Sequence, residues 1–336
     1  MMTEKMFQRS LFIGSFLAMM VPAATRAEDT VIYRLHGESG QQTIKGIVES
    51  EGLAGVKIAG KTIAAGDIVD VQLEVPGGIK LDLPKAVQAE SAGKFEEAVR
   101  EYRALINVPS VANNKLLKRY FDYKIALLTA ARADAGPEEL RVAVEALSKF
   151  ITNHPDSWQR VPVARLLTRL HLDANPPNYD AARKVLDDLA QTPGATADLK
   201  AECAYSTVDL WWRQKKIEEA RKALTAAPAN DPRTAIWRTV LDTELANLDT
   251  SIKKLEQQRE TVNNHLKPAI YNAIGDCYRL DPKRQKDALF AYLWVDVVYN
   301  FDPVEAIRAQ ERLAELFTEL KDDERAKVYR NKSRGR

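Results

Sequence analysis

The chain has 336 residues, 45% of them hydrophobic and 29% charged, with 49 Lys+Arg against 47 Asp+Glu. That balance excludes a disordered, collagenous or polytopic membrane chain, and two cysteines are too few to staple a chain of this length. The length points to two units or a modular array, because a single core stops growing near this size.

Residues 1–27 have the three-part layout of a secretory leader: Lys5 and Arg9 at the front, an apolar run over residues 11–21, then Pro22 and small residues ending in Thr25, Arg26 and Ala27. The run is about half the length of a bilayer-spanning helix, so a signal peptide cleaved after Ala27 is expected rather than an anchor. No cysteine lies near that point to carry a lipid, which predicts a periplasmic or secreted product. Setting the leader aside removes three basic and one acidic side chain and leaves 46 of each sign. A neutral chain lacks the clustered cationic charge that phosphate contact requires, so no nucleic-acid partner is expected. The basic stretch at residues 327–336 reads as a solvated terminus.

From residue 30 to residue 74 apolar side chains alternate with the two-residue period of strands: Val31, Tyr33 and Leu35, then Ile44 and Val48, Val56 and Ile58, and Ile68. Turn signals fall at residues 37–40, at Glu51-Gly52 and at Ala59-Gly60-Lys61. Four or five short strands over residues 28–79 predict a small all-β module, a curled sheet or SH3-like barrel that leans on the rest of the chain. Val75-Pro76-Gly77-Gly78 ends the pattern, since proline removes a ladder donor and paired glycines weaken a strand.

Within this segment residues 55–62 spell G-x-x-x-x-G-K-T, the pattern of a phosphate-binding loop in which Lys61 reaches the terminal phosphates and Thr62 holds magnesium. Such a loop must come after a strand and open a helix. Here Val56 and Ile58 alternate as strand residues, and residues 63–67 are too short and glycine-broken for that helix. A hairpin turning at Gly60 is the expectation. A nucleotide-dependent enzyme would rest on this loop alone.

From residue 81 to the end the period changes to that of helices, and the pattern repeats. Ala98, Ala143, Ala182, Ala220, Ala288 and Ala326 recur at spacings of 45, 39, 38, 68 and 38 residues, and the longest gap holds a degenerate unit over residues 235–265. Four residues after each alanine stand Tyr102, Leu147, Leu186, Leu224, Tyr292 and Arg330; seven after stand Leu105, Phe150, Leu189, Ala227 and Val295. That stripe is one buried helix face. Arg330 alone breaks it, as a capping repeat over residues 304–330 should.

These residues resemble the tetratricopeptide repeat family over about three quarters of the chain. Residues 92–102 (AGKFEEAVREY) look like that family's inter-helix turn and second helix; Tyr271, Ile274, Gly275 and Tyr278 fit its first helix, with Ala288 and Tyr292 after them. Pro155 and Pro232 fall where its second helix ends. The resemblance implies a mainly α fold over residues 81–336, an α-solenoid of six or seven antiparallel helical hairpins presenting a curved surface and no closed pocket. It also implies that first-helix residues line the concave side and hold a protein or peptide partner. Where the register is clean these are Glu202, Tyr205, Asp209, Trp212 and Arg213 in one unit, and Asn272, Asp276 and Arg279 in another. The family's carboxylate clamp for chaperone tails takes a lysine and an asparagine where these units carry Tyr205 or Asn272 and Asp209 or Asp276. Trp211, by contrast, falls on the core face.

Catalytic and metal patterns are missing from the sequence. The four histidines are scattered, with no H-x-x-x-H pair, and Cys203 and Cys277 have no neighbouring base or ligand spacing. Both cysteines read as packed small residues. A non-catalytic exported interaction scaffold without a cofactor is therefore expected, with a structural spacer of the cell envelope as the alternative.

Overall fold

A computed structural model describes residues 28–34, 40–75, 79 and 82–333. The leader and its cleavage point, Leu35, His36, most of the first expected turn and the Pro76-Gly77-Gly78 break lie outside the described residues.

Six strands form the β module among the described residues, one or two more than the alternation predicts. Strands β1 (Asp29–Arg34), β2 (Gln41–Gly46) and β6 (Ile68–Gln72) make one antiparallel sheet in the order β2-β1-β6; β3 (Val48–Gly52), β4 (Gly55–Ile58) and β5 (Lys61–Ala64) make a second. The run from Ile44 to Val48 splits because Gly46, with φ of +159°, and exposed Ile47 turn the chain from one sheet into the other. The Asp29 carboxylate ties the sheets together, accepting from the backbone N–H of Val48 at 2.9 Å and of Glu74 at 2.8 Å.

The phosphate-loop pattern is a β-hairpin. β4 and β5 pair antiparallel across a two-residue turn, with Ala59 at φ 48° and Gly60 at φ 73°. Positive φ at both central residues is the turn geometry that matches strand twist. Gly55 is required by space, since a Cβ there would lie 1.9 Å from the carbonyl oxygen of Ile63. Lys61 donates from Nζ to the hydroxyl of Tyr33 at 2.9 Å.

Fifteen α-helices come next among the described residues. The first helices of successive hairpins are α1 (Leu83–Ser91), α4 (Lys115–Ala130), α6 (Arg160–Asp173), α8 (Ala197–Arg213), α10 (Pro232–Leu241), α12 (Lys267–Tyr278) and α14 (Pro303–Glu319). Their partners are α2 (Phe95–Ile106), α5 (Pro137–Asn153), α7 (Tyr179–Ala190), α9 (Ile217–Leu224), α11 (Leu248–Thr261), α13 (Gln285–Val297) and α15 (Asp323–Ser333); the one-turn α3 (Pro109–Ala112) sits in the first link. Each helix packs on the next in sequence, giving seven stacked hairpins, an α-solenoid.

All six repeat alanines lie on second helices and are 0% exposed. With no side chain beyond Cβ they let the paired helices approach, and the residues four later, from Tyr102 to Tyr292, fill the space between neighbours as buried side chains. In the degenerate unit Ser251 and Leu255 are buried on α11 in their place. Gly275 does the same job on α12, where a Cβ would come within 2.5 Å of the Tyr292 ring. Arg330 is exposed on α15, donating to Thr318 Oγ1 at 2.8 Å.

The β module shares a core with the helices. Val31, Val56 and Ile58 pack with Trp158, Val161 and Ala164, with Leu186 and Leu189 of α7, and with Leu199 and Cys203 of α8. A buried ion pair joins Arg119 of α4 to Glu51 of β3 at 2.6 Å.

Candidate functional site

Seven stacked hairpins curl far enough that α14 reaches back to α8, and the inner wall is therefore not an open surface. Arg213 at the end of α8 pairs with Glu311 at 2.8 Å and Glu315 at 2.9 Å on α14. Arg312 of α14 is completely enclosed, joining Asp209 of α8 to Asp276 of α12 and lying 4.8 Å over the ring of Trp212. Arg308, one turn earlier, bonds Asp276, approaches Asp209 at 3.5 Å and stacks 4.2 Å over Trp237. The Tyr292 hydroxyl donates to Asp276 at 2.6 Å.

Burial alone would raise the Asp276 carboxyl, but Arg308 and Arg312 hold it below the usual carboxylate range. Glu315 behaves likewise: against burial, Arg213, Arg312 and Arg279 bring it down to about 2. Charges as deep as those of Asp276 and Arg312 persist only where opposite charge and hydrogen bonds meet them on several sides, and this cluster supplies both.

Between this cluster and the β module lies a cavity of about 850 Å³. Its walls come from α6, α7, α8, α10 and α14 and from the β-module segment around Ala64–Val69, which closes one side. Leu172, Leu186, Ile236 and Trp237 make it largely apolar, and Arg165, Arg169, Glu202, Asp209, Arg213, Arg308 and Glu311 add charged groups to its lining.

Of the eight residues expected on the concave side, Glu202, Tyr205, Asp209 and Arg213 line the cavity. Glu202 holds Arg165 through two bonds of 2.6 Å, and the Tyr205 hydroxyl meets Thr234 Oγ1 at 2.9 Å. The other four face α14 or its partners. Asn272 donates from Nδ2 to the Glu305 carbonyl at 2.9 Å and carboxylate at 2.7 Å, Arg279 pairs with Glu315 and with Glu319 at 2.6 Å, Trp212 lies under Arg312, and Asp276 is fully enclosed. Trp211 is partly buried against the core with the Arg183 guanidinium 3.5 Å from its ring centre.

Sequence reading passed over Arg308, Arg312, Glu311 and Glu315. Their signal was present as two interleaved i, i+4 pairs on α14, a pattern shared with any solvated helix face. Arg165 and Arg169 on α6 carry the same spacing.

Cys203 and Cys277 are both free and buried, and burial pushes each thiol up to about 12. Among the described residues no helix is long and apolar enough to cross a membrane, and no group of three or more His, Cys, Asp or Glu side chains is arranged to hold a metal ion.

Fold and cavity together define an α-solenoid of helical hairpins whose inner side is partly closed by an N-terminal β module. Among solved structures, a tetratricopeptide repeat protein from Parabacteroides merdae ATCC 43184 is similar to 77% of this chain and 93% of its own, at 11% sequence identity and a TM-score of 0.44. No family model matches the chain, and no curated protein does.

Proposed function

We propose that the protein is an exported, non-catalytic interaction scaffold that takes a segment of a protein partner into the cavity on the inner side of its solenoid. The cavity itself carries this reading. It is bounded by elements from both ends of the chain, its lining combines apolar and charged side chains, and its volume falls within the usual span of binding pockets. Trp237, Tyr205 and the lining arginines are the residue types that dominate binding energy at protein interfaces. Export rests on the leader-like layout of residues 1–27.

Filling the cavity tests the reading. Ser206 lines it from α8 and is half-buried, so Ser206→Trp is expected to block partner capture from the periplasmic fraction while leaving the melting temperature within a degree or two. Unchanged capture by a folded variant would refute a role for the cavity. The envelope-spacer reading draws on a different observation, the exposed Phe290, Trp294, Val297 and Val298 on and just beyond α13, and a spacer would be indifferent to Ser206→Trp.

A further inference from the structure

Most cationic side chains around the cavity are already neutralised. Arg165 is held by Glu202 at 2.6 Å, Arg213 by Glu311 at 2.8 Å, Arg233 by Asp231 at 2.7 Å and Arg308 by Asp276 and, at 3.4 Å, Glu305. Arg169 differs. It lines the cavity one helical turn from Arg165, it forms no ion pair among the described residues, and its Nε is buried without a hydrogen-bond acceptor. Burial holds its guanidinium below the usual arginine range, against the opposing pull of Glu311 and Asp173, whereas Arg165, Arg213, Arg233 and Arg308 are all raised. The Nε atoms of Arg34, Arg213 and Arg308, which also line the cavity, are buried without an acceptor as well, but Arg213 and Arg308 spend other donors on Glu311 and Asp276, so the missing ion pair is what sets Arg169 apart from them.

We propose that the occupant of the cavity carries a carboxylate on an apolar chain, with the carboxylate received by Arg169 and the chain by the apolar wall. This rests on the reading of the cavity as the binding site and adds its chemistry. A guanidinium with its Nε buried without an acceptor and no carboxylate paired to it is an unfavourable state that an incoming acceptor relieves, and arginine matches a planar carboxylate with two parallel bonds. A doubly charged phosphate fits worse, because Glu202, Asp209, Glu305 and Glu311 stand on the same walls and repel a second negative charge. The apolar wall from Leu172 to Trp237 selects for a hydrocarbon body. An acidic side chain inside an apolar partner segment and a free carboxylic acid share this chemistry.

Two ligand pairs, titrated calorimetrically into the full mature chain, test it: octanoate against octanol, and acetyl-Leu-Leu-Glu-Leu-Leu-amide against its Gln counterpart. The carboxylate member of at least one pair should bind about tenfold or more tightly than its neutral twin, the value of a charge-assisted hydrogen bond. Which pair shows the preference identifies the source. In Arg169→Met the preference should vanish while the neutral ligand still binds. Equal binding within both pairs on the unmodified protein, or a preference that survives in Arg169→Met, overturns the proposal without depending on how well the variant folds. The partner reading is separable: a carboxylate that binds without displacing a captured protein would leave the chemistry intact and remove the protein from the cavity.

Discussion

Arg312 is the residue on which the inner wall turns. Its side chain is 0% exposed and joins Asp209, Asp276 and, at 3.5 Å, Glu315, so removing its charge leaves carboxylates buried with too little compensation. Arg312→Met should lower unfolding free energy by about 3–5 kcal/mol, read from the urea midpoint. Acid acts on the same cluster. The folded-state values of Asp276 and Glu315 lie below those of free carboxylates, so their stabilisation is complete above the ordinary carboxylate range and is lost as pH falls toward about 2. Glu315, with its side chain 36% exposed, contributes less than its shift implies because solvent screens it. The melting temperature should therefore drop steadily from about pH 4.5 to 2, and less steeply in Arg312→Met; a flat profile would deny the cluster a stabilising role. At this scale the sequence was only half legible. First-helix positions identified Asp209, Arg213 and Asp276 as inward residues, but nothing in the local pattern told that α14 would supply their counter-ions.

At the scale of elements, one turn recurs. Gly93, Lys215 and Lys321 each stand five residues before a buried alanine and each has positive φ, of 70°, 59° and 60°. All three end a first helix in the left-handed conformation that glycine adopts without strain. Lys321 is exposed, so Lys321→Gly should relieve strain and stabilise by about 0.5–1 kcal/mol, visible as a rise in melting temperature; a fall would mean that the lysine side chain makes a stabilising contact of its own. The repeat alanines were legible because packing two helices closely leaves no chemical alternative to a small residue. The degenerate unit was legible only as a gap of two repeat lengths; its register was not, because Ser251 satisfies the same steric demand with a different residue, which a search for alanine passes by. The phosphate-loop pattern shows the converse: identical letters, with alternating Val56 and Ile58, make a hairpin, since the strand period governs the backbone.

For the whole molecule, the order of elements was readable and the closure was not. Solenoid pitch is a sum of small rotations between hairpins, and the Arg312–Asp209 bond joins residues 103 apart, beyond the reach of any local pattern. The β module was expected to lean on the helices; it shares their core and walls the cavity, so the inner side became a chamber rather than a curved face. Ligand capture in that chamber is the claim on which the functional account stands. Site-specific photo-crosslinking in cells tests it most directly, with benzoylphenylalanine at Val69, a cavity-lining residue 44% exposed, and at Glu218 on α9, whose side chain is 88% exposed. Adducts from Val69 with none from Glu218 are the predicted result; adducts confined to Glu218 would contradict it.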